Sequence, residues 1–130
     1  MENKKYFAFL NRDTQKDIED VRTYARFGYA NGYVAIPPGH PFNGKDFNDI
    51  DISVHGGVTY AETIEDTVGN NWGSIECIGF DSIDEIPSGY FVLGFDTMHF
   101  GDDSTLDREW CIMETKNLLE ELKRIGSLSR

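Results

Sequence analysis

The sequence predicts an α+β domain in which a mostly antiparallel sheet of about five strands packs against a C-terminal amphipathic helix. Short runs rich in aromatic and β-branched residues recur along most of the chain, separated by Gly, Pro and Asn clusters. The hydrophobic period then becomes helical over residues 106–125. With 130 residues, the chain has the size of a single domain, 1–130, built around one core.

The predicted strands are short, and turn-forming residues bound each of them. They cover residues 5–10, 22–30, 33–37, 51–60, 74–80 and 89–96, and a polar loop is predicted over 61–73. Asn31-Gly32 predicts a hairpin turn, because both residues tolerate the positive φ of a type I′ turn. The prolines that follow predict the end of that strand, since proline cannot donate to a sheet ladder. Gly56-Gly57 interrupts the run 51–60 and predicts a bulge or a close backbone approach.

The C-terminal helix has the clearest local signal. Ser104 and Asp107 resemble a capping box at its start, and Gly126 is predicted as the first residue after its end. The apolar stripe should pack across one face of the sheet. It consists of Cys111, Thr115, Leu118, Leu122 and Ile125, which are four or three residues apart.

Composition and charge exclude several classes of protein. The net charge of −11 and the pI near 4.5 argue against direct nucleic-acid binding, which requires Lys and Arg. The same charge permits an acidic surface that occupies a basic cleft of another protein, but the acids are spread along the chain, which favours a role in solubility alone. No apolar run approaches the roughly 20 residues of a membrane span, and residues 1–5 do not resemble a secretory signal. Cys77 and Cys111 are therefore expected to be free thiols of a cytoplasmic protein.

Two segments carry side chains suited to a functional site. His55 precedes Gly56-Gly57, and residues 96–103 lie between the last predicted strand and the helix, where loops often carry function. In a metal interpretation, Zn²⁺ or Mn²⁺ activates a water for hydrolysis. The proposed metal ligands are His55, Asp96, His99 and Asp102.

The same residues also permit a binding interpretation and a structural one. In the binding interpretation, Gly56 and Gly57 let a ligand approach the backbone, while His55, Asp96 and His99 supply polar contacts. Lys45 could reach a phosphate of that ligand. In the structural interpretation, the glycines form a bulge and the histidines make ordinary hydrogen bonds. His40 lies in a Pro/Gly loop and is predicted mainly to shape it.

Four blocks in a fixed order resemble a family of small, poorly characterised proteins found mainly in bacteriophages and prophages. The sequence differs from the family pattern at Met98-His99-Phe100, where small or different residues are usual. The blocks are GYVAIPPGHP (32–41), GKD (44–46), DISVHGGVTY (51–60) and LGFDTMHFGD (93–102).

The resemblance implies action against bacterial defence in the host cytoplasm. The expected function is to bind and sequester a small nucleotide-derived signalling molecule, without a cofactor. One alternative is a metal-dependent hydrolase or phosphodiesterase that cleaves such a molecule, and whether the protein is an enzyme is left open. Another is an acidic protein that blocks a host defence enzyme. These expectations are compatible with a homo-oligomer.

Overall fold

The structure is a computed structural model that describes residues 5–12, 28–69, 75–97 and 105–128. In these residues five antiparallel strands form one sheet, and a 21-residue helix packs on it, which confirms the predicted fold class. Two 3₁₀ turns, η1 (Phe47–Asp49) and η2 (Ile83–Glu85), lie between elements. The elements are β1 (Phe7–Asn11), β2 (Asn31–Ile36), β3 (Tyr60–Thr63), α1 (Ile64–Gly69), β4 (Ile75–Ile78), β5 (Phe91–Phe95) and α2 (Arg108–Leu128).

The sheet is ordered β3-β5-β2-β1-β4, and every pair of neighbours is antiparallel. β2 therefore lies at the centre and is buried along its whole length. The predicted end of this strand is confirmed, because β2 stops at Ile36, immediately before the prolines. Because both faces of β2 are covered, its sequence is a nearly continuous apolar run without the alternation of a half-exposed strand.

One hydrophobic layer lies between α2 and the sheet. The helix runs across β1 and β2, and its four buried residues are four, three and four positions apart, as one helix face requires. Side chains from the segment before β3 close the edge of this layer. The cluster contains Ala8, Val34, Ile36, Phe91, Leu93, Phe95, Leu118 and Leu122, with Ile50, Ile52 and Val58 from that segment.

The opposite side of the sheet carries a second hydrophobic layer, which we call the α1 face. The alternate side chains of the strands pack there against Ile64 of α1 and against Ile86, which follows η2. The strand residues in this layer are Phe7, Phe9, Tyr33, Ala35 and Val92, joined by Tyr90. α2 and the segment before β3 thus lie on one side of the sheet, and α1 and η2 lie on the other.

The hairpin predicted at Asn31-Gly32 is wrong, because both residues lie inside β2. Asn31 pairs with β1, and Gly32 pairs with both β1 and β5. A Cβ atom at Gly32 would lie closer than 3.0 Å to Thr115 and Phe95, so the glycine permits the close approach of α2. Residues 22–27 of the predicted partner strand lie outside the described residues.

The strand predicted over residues 51–60 is also wrong. Gly56 and Gly57 adopt positive φ angles of 70° and 80°, so the chain turns there and enters β3 only at Tyr60. The loop predicted over 61–73 is in part regular, because it contains the rest of β3 and the whole of α1. Its last residues, 70–73, lie outside the described part of the chain.

The predicted C-terminal helix is confirmed, with a later start. It begins at Arg108, and Asp107 caps it by accepting a hydrogen bond from the backbone N–H of Trp110 at 2.9 Å. An acid at this position also interacts favourably with the helix dipole. Ser104, the other member of the predicted capping box, lies outside the described residues.

The predicted helix end at Gly126 is wrong, because α2 continues to Leu128. Gly126 lies within the helix, where an added Cβ atom would meet the hydroxyl of Tyr6 and the ring of His40. The glycine therefore serves close packing at this end of α2. It is not needed there for a left-handed conformation.

Candidate functional site

His55 lies in a tight turn on the α2 side of the sheet. The backbone N–H of Gly57 donates to the carbonyl of Val54 at 2.8 Å and closes the turn. Gly56 and Gly57 supply the positive φ angles that this turn needs. Their conformational role is therefore explained by the turn itself, without a ligand.

The contacts of His55 attach that turn to the first part of α2. Its backbone N–H donates to Oε2 of Glu114 at 2.8 Å. Its half-buried ring meets the ring of Trp110 edge to face, with the centroids 5.0 Å apart. Trp110 in turn packs edge to face on Phe95 of the sheet. This chain of contacts positions the imidazole on the helix.

Asp96 follows β5 and acts on a different group of side chains. Tyr33 belongs to the α1 face, and burial raises the pKa of its phenol, with further contributions in the same direction from Tyr60 and Asp96. A hydrogen bond with Asn31 opposes them. Asp96 thus acts electrostatically on Tyr33 of the α1 face, whereas the ring of His55 contacts Trp110 on the α2 side of the sheet.

The other predicted site residues are distributed as follows. Lys45 is exposed, and its backbone N–H donates to the carbonyl of Phe42 at 3.1 Å in a turn after β2. His99 and Asp102 lie outside the described residues. In the part of the chain that the structure describes, no group of three or more His, Cys, Asp or Glu side chains is arranged to hold a metal ion.

His40 is a buried structural residue, in line with its predicted role in the loop. Its Nδ1 accepts a hydrogen bond from the backbone N–H of Phe42 at 3.0 Å. The ring proton must therefore lie on Nε2, which donates to the carbonyl of Leu122 at 2.7 Å. This histidine joins the loop after β2 to α2 and is neutral in that arrangement.

The most prominent electrostatic feature is one that the motif analysis missed. No Lys or Arg lies between Lys45 and Arg108, a stretch that carries fourteen Asp and Glu residues. Counting acidic and basic residues segment by segment would have found it. Six of these acids lie on or beside α1, η2 and the two edge strands β3 and β4, and we call them the acidic face. They are Glu62, Glu65, Asp66, Asp81, Asp84 and Glu85.

Interactions of individual groups link the acidic face to the α1 face of the sheet. Burial raises the pKa of the Cys77 thiol in β4, and the carboxylates of Glu85 and Asp81 raise it further. At the other end of the acidic face, the hydroxyl of Ser88 donates to Oε2 of Glu65 at 2.6 Å and lowers the pKa of that carboxyl. The acidic face carries six carboxylates and no Lys or Arg of its own, so its residues favour cations.

Two open grooves lie in the acidic face. The first has a volume of about 400 Å³, and Tyr60, Glu62, Asp66 and Gly69 line it. The second, about 350 Å³, lies between α1 and η2 and has a mainly apolar lining. Both grooves have carboxylates at their edges, so each is better suited to a cationic ligand than to a phosphate.

Comparison with known proteins identifies no relative of this chain. No protein-family model, no curated protein and no solved structure matches the chain. Among the residues that the structure describes, no helix is both long enough and apolar enough to cross a membrane.

Proposed function

We propose that this protein binds a basic surface of a partner protein through its acidic face. The observation that carries the proposal is the composition of the acidic face. Within the described residues 46–69 and 75–97 there are eleven Asp and Glu residues and no Lys or Arg, and six of the eleven form the acidic face. Complementary charge of this kind accelerates association and selects partners by sign.

The resemblance to phage and prophage proteins suggests what such binding achieves. A basic cleft that normally holds nucleic acid is a natural partner for a folded acidic surface. Occupying the cleft of a bacterial defence enzyme would block access of its substrate. The proposed function is therefore that of an acidic blocking protein, and it requires no catalytic group of its own.

Sequestration of a nucleotide-derived messenger is the rival proposal. It is weakened by the two described grooves, because Glu62 and Asp66 border one of them and Glu65 and Asp84 border the other. Carboxylates at these positions repel phosphate groups. The hydrolase proposal depends on convergence of His55, Asp96, His99 and Asp102, of which only His55 and Asp96 lie among the described residues.

Carbodiimide cross-linking in bacterial cells that produce the tagged protein tests the proposal. The reagent joins carboxylates directly to lysine amines, so mass spectrometry identifies both the partner and the acids that touch it. We expect the acids Glu62, Asp66 and Asp84 to dominate the cross-links to one partner. Cross-links concentrated on α2, or co-purification of a nucleotide that denaturation releases intact, would contradict the proposal.

A further inference from the structure

We propose that the groove between α1 and η2 receives an aliphatic side chain from a Lys/Arg-rich segment of the partner protein. This inference rests on the proposed function and specifies how the acidic face recognises its partner. Charge alone would give a weak and unselective contact, because exposed ion pairs contribute little each. An apolar anchor beside the charges would supply the selectivity.

The floor and walls of this groove are aliphatic. Ile64 and Ile86 are buried at its base as part of the α1-face core, and Ile83 is half-buried. Val68 of α1 is 44% exposed, and only two large apolar side chains among the described residues, Met113 and Leu128, are more exposed. The groove volume of about 350 Å³ accommodates a Leu or Met side chain with its neighbouring backbone.

Carboxylates stand at the edge of this apolar surface. Glu65 and Asp84 both line the groove, and both are exposed to solvent. Ser88 and the backbone N–H of Gly89 donate to Oε2 of Glu65 at 2.6 and 3.4 Å, which orients that carboxylate and favours its ionised form. The groove thus presents an apolar centre with two carboxylates, of which that of Glu65 is held in place by hydrogen bonds.

This combination specifies the chemistry of the occupant. A fatty acid or a nucleotide would bring a carboxylate or a phosphate against Glu65 and Asp84, which repel it. A basic peptide without an apolar residue would leave the Val68 surface in water. A segment with one aliphatic side chain between Lys or Arg residues satisfies both parts of the groove at once.

Two fluorescent peptides of equal charge test the inference with the full-length protein at low salt. Both carry Lys and Arg on either side of a central pair, which is Leu-Leu in one peptide and Ser-Ser in the other. By fluorescence anisotropy, we expect the Leu-Leu peptide to bind about tenfold more tightly, since burial of one aliphatic side chain accounts for a factor of this size. Val68→Ser should remove most of that difference.

Met113→Ser is the matched control, because Met113 is an exposed apolar residue on α2. It should preserve the preference for Leu-Leu, and thermal melting should show that both variants are folded. Equal binding of the two peptides to wild-type protein would overturn the groove inference alone. If neither peptide binds, the proposed binding of basic partners fails as well. A preference for Leu-Leu that Val68→Ser leaves unchanged would also overturn the groove inference, because the anchor would lie elsewhere.

Discussion

His40 shows how one buried side chain connects distant parts of the chain. Its two ring nitrogens bond to Phe42 in the following turn and to Leu122 of α2. Burial lowers the pKa of His40 from 6.5, although the bond to the Leu122 carbonyl works in the opposite direction. Protonation of Nδ1 would replace an acceptor by a donor opposite the Phe42 N–H, so the neutral ring is the form that fits.

We therefore predict that His40 makes the fold sensitive to mild acid. Below pH 6.5 the unfolded chain binds a proton that the folded ring resists, so stability falls as the pH decreases towards the folded pKa. Above 6.5 the contribution is fully present. Urea unfolding on either side of this pH measures the effect. His40→Gln has no titrating ring and should show a smaller loss; an equal loss in both proteins would contradict the assignment.

Gly32 illustrates a residue whose sequence signal was strong but misleading. Asn31-Gly32 favours a tight turn, yet β2 runs through both residues. The dipeptide alone does not reveal that Thr115, far along the chain, occupies the space beside Gly32. The turn propensity of Asn31-Gly32 is overridden here by a tertiary contact that exists only once α2 packs on β2.

We predict that Gly32→Ala destabilises the protein by about 1–3 kcal/mol, because the new methyl group overpacks the contact between β2 and α2. Gly39→Ala is the control, since a Cβ atom at Gly39 meets nothing within 4 Å. Thermal or urea unfolding of both variants measures the difference. If Gly32→Ala unfolds like wild type, α2 does not lie as close to β2 as described.

α2 was predictable because its signal is local and repeated. Its buried residues follow one another at helical spacing, and no long-range contact is needed to recognise them. The strand pairing was not predictable in the same way, because β2 pairs with β1 and β5 across long separations in sequence. The use of Gly126 inside α2 depends on tertiary packing, because an added Cβ atom there would meet Tyr6 and His40.

We predict that Leu122→Ala lowers the free energy of unfolding by about 2–5 kcal/mol, because it removes a buried side chain from the layer between α2 and the sheet. Leu122 is fully buried, whereas Leu128 near the end of the same helix is 70% exposed. Leu128→Ala should therefore change stability by less than about 0.5 kcal/mol. Urea denaturation of both variants measures the contrast, and equal losses would place Leu122 outside the core.

The candidate site was less predictable than the fold. The motifs drew attention to His55 and Asp96. Which side of the sheet each strand residue faces, however, becomes known only once the pairing of β5 with β2 is known. The interruption of the run 51–60 by Gly56-Gly57 predicted a bulge or a close backbone approach, and the structure uses these glycines for a turn. The site residues His99 and Asp102 remain predictions from the sequence.

The distribution of charge over the fold is the basis of the functional proposal. α2 carries equal numbers of acidic and basic residues, whereas the segment that supplies the acidic face has no Lys or Arg. Lys5 at the start of β1 is a nearby cation, and it lies over the ring of Phe7 at 5.0 Å from the centroid. Within the described residues 46–69 and 75–97 the acids are not matched by any Lys or Arg of the same segment, and the proposal of a binding surface rests on this mismatch.

Two triple variants with the same net charge distinguish a specific binding surface from an acidic surface that serves solubility alone. Glu62→Gln, Asp66→Asn and Asp84→Asn together remove three charges from the acidic face. Glu65 and Glu85 are kept, because both accept hydrogen bonds that support the fold. The control variant carries three neutralising substitutions at exposed acids away from this face, namely Asp49→Asn, Glu109→Gln and Glu120→Gln.

Calorimetric titration of both variants with the cross-linked partner, purified and measured over a range of salt concentrations, provides the decisive comparison. The acidic-face variant should bind at least about tenfold more weakly and with a shallower salt dependence, because three favourable charge interactions are lost. The control variant should bind like the wild type. Equal weakening of both variants, or of neither, would contradict binding through the acidic face.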